Sequence, residues 1–131
     1  MDAKFMDIVE LIRKTQALTD QAAENGAAWL DEVRPGWDAD IDISILDIDD
    51  EEFCICGQLW MDTFKYGTGY LHAFYEVFPG EEGDEREKFA EVHGFDAVLI
   101  DDDYNGELIS YYMEELTLSW AHLIEKRRAN A

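Results

Sequence analysis

Carboxylates far outnumber basic side chains in this chain, and the imbalance limits the folds that are open to it. The sequence holds 31 Asp and Glu against 10 Lys and Arg, a formal net charge of −21 over 131 residues. Repulsion among so many like charges opposes a compact state. Hydrophobic residues nevertheless make up 47% of the sequence and aromatic residues 13%, whereas disordered acidic chains are poor in aromatics. The composition therefore predicts an acidic surface laid over an aromatic core.

The length and the apolar spacing predict a mainly α fold. A chain of 131 residues is close to the usual size of one domain, so residues 1–131 are interpreted as a single compact domain. Apolar residues recur at helical spacing in most of the chain, which predicts about five helices with little or no β structure. The helical segments are expected at 2–25, 27–33, 49–65, in a short stretch that ends at 93–94, and from about 103 onward.

Turn residues set the expected limits of these helices. Asn25-Gly26 is typical of a helix end, and the residue before Pro35 avoids the helical region. The alternation of Ile41, Ile43 and Ile45 with polar residues fits a half-buried strand, but a lone strand is unstable, so an extended segment across the helices is favoured. Gly57 lies inside the helix expected at 49–65, where we expect it to permit close packing.

Cysteine usage and the chain's beginning favour a cytoplasmic location. Cys54 and Cys56 are too close together to bond each other readily, and two free thiols fit a reducing compartment. The first residues lack the continuous apolar stretch of a signal peptide, and no apolar run approaches the roughly 20 residues of a membrane span. No membrane association is expected.

One segment resembles part of a calcium-binding loop. Asp101, Asp103 and Asn105, followed by Gly106, match the first half of an EF-hand, but position 12 is Tyr112 where a bidentate Glu is needed. A polar turn that caps the last helix is therefore favoured. A weak Ca²⁺ site is the alternative, and no other cofactor is expected.

No set of residues predicts an enzyme. The histidines are scattered at His72, His93 and His122, which does not suit a zinc site. Acidic surroundings should raise the pKa of the cysteine thiols and suppress the nucleophilic thiolate. None of the serines lies on the strand–turn–helix that exposes a nucleophile; they are Ser44, Ser110 and Ser119.

The strongest local feature is the acidic segment, residues 38–52, which carries eight carboxylates. Such an array resembles the charge density of duplex DNA, one negative charge per about 1.7 Å of axis, and attracts basic surfaces. Nucleic acid itself is not an expected partner, because the Lys126-Arg127-Arg128 cluster is better explained as a complement to a helix C-terminus. The competing interpretation of the acids is solvation alone. The eight candidate partner-binding residues are Asp38, Asp40, Asp42, Asp47, Asp49, Asp50, Glu51 and Glu52.

Two short motifs carry a family resemblance. Pro35-Gly36-Trp37 and Cys56-Gly57-Gln58-Leu59, with His93-Gly94-Phe95 before the last helix, resemble a pattern in small acidic proteins of actinobacteriophages and their hosts. The resemblance covers most of 27–125. That family carries no assigned activity, so it implies no site residues. It implies a phage-encoded accessory protein that binds a host factor.

Three hypotheses follow from the sequence. The first is a non-enzymatic acidic protein that engages a basic surface of a host protein, with carboxylates in place of DNA phosphates. The second is a cation-binding module built on Asp101, Asp103 and Asn105. The third is a small structural protein that forms homo-oligomers through exposed aromatic residues among 66–78.

Overall fold

Two long helices, one from each half of the sequence, form the main packing contact. The computed structural model of the protein describes residues 3–61, 65–96 and 107–130. Helix α1 spans Ala3–Val33 and helix α5 spans Glu107–Ala129. They run in the same direction, because Thr19 contacts Ser119 near the middle and Asp31 contacts Arg127 near the C-terminal ends.

Shorter elements cover these two helices. Two 3₁₀ turns, Trp37–Asp40 and Ile43–Ile45, lead to helix α2 at Ile55–Leu59. Helix α3, Gly69–His72, continues as one wide π turn over Ala73–Val77, and helix α4 spans Gly83–Val92. The mainly α, single-domain fold with about five helices is confirmed, and the described ranges contain no strand.

The prediction that Asn25-Gly26 ends the first helix is wrong. Helix α1 continues through both residues to Val33, and a Cβ at position 26 would lie 2.1 Å from the His93 carbonyl oxygen and 2.7 Å from the Trp120 ring. The Asn25 amide donates a hydrogen bond to the Val92 carbonyl at 3.0 Å. Gly26 therefore serves the close approach of α1 to the end of α4, and the helix does not need to stop there.

Aromatic side chains form the centre of the core. Trp37 and Trp120 are fully buried and meet edge to face, with ring centroids 5.7 Å apart. Phe95 stacks between Trp120 at 5.7 Å and Phe78 at 5.4 Å. Both indoles have hydrogen-bond partners, since Trp120 donates to the Gly94 carbonyl and Trp37 donates to the Asp31 carboxylate.

The helix predicted at 49–65 is wrong for most of its length. Residues 48–54 form turns, and α2 covers only Ile55–Leu59. The carboxylates of Asp47 and Asp50 accept backbone N–H bonds from residues two ahead, which replaces helical hydrogen bonding. Cys54 then caps α2 through its sulfur, which accepts from the Gly57 N–H at 3.2 Å.

The stretch from 37 to 48 is neither a strand nor an extended segment. It is built from the two 3₁₀ turns, so the alternation of isoleucines does not place all three on one face. Ile41 is 3% exposed, whereas Ile45 is 42% exposed.

The later helices fit their predicted limits more closely. Helix α4 ends before His93-Gly94 as predicted, and Gly94 has the left-handed φ of 73° that such an end requires. The predicted inner face of α5 is buried at Tyr112, Met113, Leu116, Trp120 and Ile124. The predicted start near residue 103 lies outside the described residues. Among the helices that are described, none has the length and apolar character required to cross a bilayer.

Candidate functional site

The acidic segment is fastened to the core along its length. Its apolar side chains Ile41, Leu46 and Ile48 are buried beneath the acids. The Ile48 N–H donates to the Thr117 hydroxyl of α5 at 3.0 Å. Arg128, near the end of α5, donates to the Asp38 carbonyl at 2.7 Å and to the Ile41 carbonyl. The backbone of the segment is therefore held from the core side by α5.

Gln58 of α2 also holds the backbone of the segment, through three hydrogen bonds of its side-chain amide. Its side-chain oxygen accepts a hydrogen bond from the Asp42 N–H at 2.7 Å. Its nitrogen donates to the Asp42 carbonyl at 3.2 Å and to the Phe53 carbonyl at 2.9 Å. Because the amide is 8% exposed, water has little access to replace these three bonds. This buried residue therefore joins residue 42 of the segment to residue 53, which directly follows the segment and is eleven positions further along the sequence.

Four of the eight predicted partner-binding acids help to build the segment. Asp42 accepts bonds from the backbone and the hydroxyl of Ser44, and Asp47 accepts from the Asp49 N–H. Asp50 accepts from the Glu52 and Phe53 N–H groups. Asp38 lies 3.6 Å from the Arg127 guanidinium. These carboxylates have a structural use that the sequence pattern did not reveal.

The other four acids have exposed side chains with no hydrogen-bond or ion-pair partner among the described residues. They belong to the turns at 40 and 49–52, and no Lys or Arg occurs in the sequence between Arg34 and Lys65. Their charge is therefore not neutralised by a basic neighbour in sequence. These unpaired acids are Asp40, Asp49, Glu51 and Glu52.

Basic residues at the end of α5 hold the start of the segment against α1. Arg127 makes two bonds of 2.8 Å to the Asp31 carboxylate and lies over the Trp37 ring at 5.3 Å. This hydrogen-bonded pair lowers the pKa of Asp31. The basic cluster was predicted to complement the helix end. Arg127 and Arg128 also connect α5 to other elements, which spacing along one helix cannot indicate.

The two cysteines lie beneath the acidic segment as free thiols. Burial raises the pKa of Cys54 to about 12 and raises that of Cys56 as well. The predicted direction is confirmed, although burial and not the neighbouring acids is the main cause. Both groups therefore stay protonated near neutral pH.

The other polar candidates are engaged in packing or lie outside the described residues. Ser119 donates to Asp20 at 2.7 Å and contacts the Thr19 hydroxyl at 2.8 Å, which ties α5 to α1. Within the described part of the chain, no three His, Cys, Asp or Glu side chains converge as metal ligands. Asp101, Asp103 and Asn105 lie outside the described residues, so the Ca²⁺ hypothesis stays a prediction.

The aromatic stretch predicted to support oligomers contributes mainly to the core. Phe78 is buried, and Tyr70 and Phe74 are half-buried against it. Tyr75 is 51% exposed and stacks on Tyr66 at 5.2 Å. Tyr66 donates to Glu76, which also pairs with Lys65 at 2.8 Å. The exposed ring of Tyr75, stacked on the half-buried Tyr66, therefore remains in this stretch for the oligomer hypothesis, which stays a prediction.

The comparisons with known proteins add no relative to this geometry. No protein-family model, curated protein or solved structure matches the chain.

Proposed function

We propose that this is a non-enzymatic acidic binding protein whose acidic segment engages a basic surface of another protein. Its unpaired carboxylates take the place of DNA phosphates, so the partner is a protein that itself binds nucleic acid. The resemblance noted from the sequence implies further that the protein is encoded by a phage and acts on a host protein in the host cytoplasm.

One observation carries the proposal: the unpaired acids are mounted on a backbone that is fixed from below. The buried isoleucines, Gln58 and Arg128 hold the turns in one arrangement. A backbone that is already held in place loses little freedom on binding, so more of the electrostatic attraction of its acids is available as affinity. An acidic surface that only keeps the protein dissolved needs no such support. We therefore favour a binding role over solvation alone.

The electrostatic character of the segment supports a basic partner in particular. Asp40, Asp49, Glu51 and Glu52 lie in a stretch of sequence without Lys or Arg. A negative field of this kind speeds the encounter with a positive surface and weakens as salt is added. DNA-binding proteins present that positive surface because they neutralise phosphates with Lys and Arg.

The test is retention of proteins from an actinobacterial lysate on the immobilised full chain, at low and at high salt. The first variant carries Asp40→Asn, Asp49→Asn, Glu51→Gln and Glu52→Gln. The matched control removes four exposed acids at the start of α4, through Glu81→Gln, Glu82→Gln, Asp84→Asn and Glu87→Gln. Retained proteins are identified by mass spectrometry and then tested for binding to duplex DNA.

We expect a defined basic protein that the wild type and the α4 control retain and the first variant loses at least tenfold. Duplex DNA should displace that protein from the wild type. Equal loss in the two variants would show a general charge effect and contradict the proposal. Retention that duplex DNA does not reduce would contradict the DNA-like mode of binding.

A further inference from the structure

A small cavity opens where the acidic segment meets the aromatic core. Its volume is about 160 Å³, and four parts of the chain contribute to its wall: the turn at 48–54, α3, the residues after α4, and α5. Three carboxylates, two aromatic rings and a thioether line it. They are Asp49, Glu51, Asp96, Tyr70, Phe95 and Met113.

Hydrogen bonds and ring contacts fix the walls of this cavity. The Tyr70 N–H donates to the Glu51 carbonyl at 3.3 Å, which joins α3 to the turn. Phe95 is held by its stacking on Phe78 and Trp120, and its N–H donates to the Ala90 carbonyl at 2.8 Å. The cavity is therefore part of the folded core and not a gap between loose side chains.

The lining has two chemical characters that favour the same class of ligand. Carboxylates attract a cation, and the face of an aromatic ring such as Tyr70 binds a cation or a flat guanidinium that stacks on it. Both faces of Phe95 are already stacked on Trp120 and Phe78, so that ring contributes only an apolar edge. Burial raises the pKa of the Tyr70 hydroxyl, and the nearby Asp96 raises it further, so the ring stays neutral beside the acids. The thioether of Met113 adds an adaptable apolar contact for the stem of a side chain.

We propose that this cavity receives the guanidinium of one arginine from the basic partner. The inference rests on the proposed function and names the residue type that would anchor the complex. The space admits a guanidinium and one or two methylene groups, and Asp49 and Glu51 belong both to the cavity and to the unpaired acids. Arg is enriched among the residues that dominate binding energy at protein interfaces.

The direct test is an NMR titration of the full chain with N-acetyl-arginine methylamide, in which binding is measured from the chemical shifts of the backbone amides. The lysine and citrulline analogues serve as comparisons, because one keeps the charge and the other keeps the shape. We expect saturable shifts at 48–54, Tyr70 and Phe95 with the arginine probe, and at least fivefold weaker binding of both other probes.

Two variants that remove the same amount of charge distinguish binding in the cavity from attraction by the overall negative charge. Asp49→Asn with Glu51→Gln should weaken the arginine probe at least fivefold. Asp40→Asn with Glu52→Gln, outside the cavity, should change its affinity less than twofold. All four side chains are exposed, so both variants should fold, which a thermal melt verifies.

Failure of this inference is distinguishable from failure of the proposed function. Equal weakening by the two variants, equal binding of citrulline or lysine, or no shifts near the cavity would each overturn the arginine site. The lysate experiment would still test the proposed function, because retention of a basic protein is expected to depend on all four unpaired acids and not on the cavity alone.

Discussion

The acidic segment and the start of helix α4 carry a similar density of negative charge on different supports. Residues 38–52 hold eight acids and no basic residue, and residues 81–87 hold five acids and Arg86. In α4, Asp84 and Glu85 lie in the first helical turn, where they favour the helix through its dipole, and Ala90 is its fully buried side chain. In the acidic segment, buried apolar side chains and a buried amide fix the turns. Charge density alone therefore does not define a shaped surface, because the supporting structure decides whether the backbone that carries the charges stays in place.

The largest expected change in stability comes from replacing a glycine in each of the two supports. A Cβ at Gly57 would lie 2.4 Å from the Glu51 carbonyl oxygen, whereas nothing lies within 4 Å of one at Gly83. We expect Gly57→Ala to lower the free energy of unfolding by about 3 kcal/mol through forced displacement of the turn. Gly83→Ala should stay within about 1 kcal/mol of the wild type, on the stabilising side. Urea denaturation of both variants measures this, and equal effects would remove the distinction between the two supports.

The second test removes the buried amide. Gln58→Leu leaves the Asp42 N–H without a hydrogen-bond partner, and it removes one of the two donors to each of the Asp42 and Phe53 carbonyls. We therefore expect a loss of about 2 kcal/mol in the free energy of unfolding. Hydrogen exchange should quicken at residues 42–53 and stay unchanged in α4. The control is Gln16→Leu on the exposed face of α1, which should change stability by less than about 0.5 kcal/mol. Unchanged exchange at 42–53 would show that Gln58 does not fix the segment.

The third test divides the acids of the segment into two groups. Asp50→Ala removes the acceptor of two backbone N–H bonds and should cost about 1 kcal/mol. Asp40→Ala removes an exposed acid without a described partner and should change stability by less than about 0.5 kcal/mol. Thermal melts of the two variants under the same buffer measure the difference. A larger cost at position 40 would mean that the division is wrong.

The smallest effect concerns the link between the segment and the end of α5. Arg127→Gln should cost less than about 1 kcal/mol at pH 7, because the pair with Asp31 is partly exposed. The pKa of Asp31 is lowered in the folded state, so its contribution is present above the unfolded pKa of about 3.9 and is lost as pH falls through the folded value. The gap between wild type and variant should therefore narrow below about pH 4.

The control for this pH dependence is Lys126→Gln, which removes the same charge from an exposed neighbour. It should show no gap that narrows in acid. Urea denaturation at intervals from pH 7 to pH 3 measures both variants. A gap for Arg127→Gln that stays constant down to pH 3 would show that the Asp31 pair does not contribute.

Much of the architecture could be predicted because it depends on local pattern. The inner face of α5 follows from helical spacing, and the end of α4 follows from His93-Gly94. Gly57 was expected to permit close packing, and the Glu51 carbonyl occupies the space that a Cβ would need. In each case the relevant signal lies within a few positions in sequence.

The failures arise where a distant contact decides the local structure. Asn25-Gly26 has the composition of a helix end, but the carbonyl of His93 and the ring of Trp120 need a glycine on a continuing helix. Asp49-Asp50-Glu51-Glu52 has the composition of a first helical turn, but Asp47 and Asp50 form local turns instead. The use of half the acids as structural acceptors, and the role of Gln58, could not be predicted because both depend on which backbone groups lie nearby.

The close approach at Gly26 also bears on how the chain folds. The contact joins the first helix, the end of α4 and Trp120 of the last helix, and the Thr19–Ser119 bond spans 100 positions of sequence. Pairings this distant form late and slow the folding of small domains. On the ribosome, α1 would wait for α5 to emerge before its core-facing side, which includes Ala22, Ala23 and Ala27, could be covered. Until then that face would be exposed, which is the interval in which such a chain is most prone to associate wrongly.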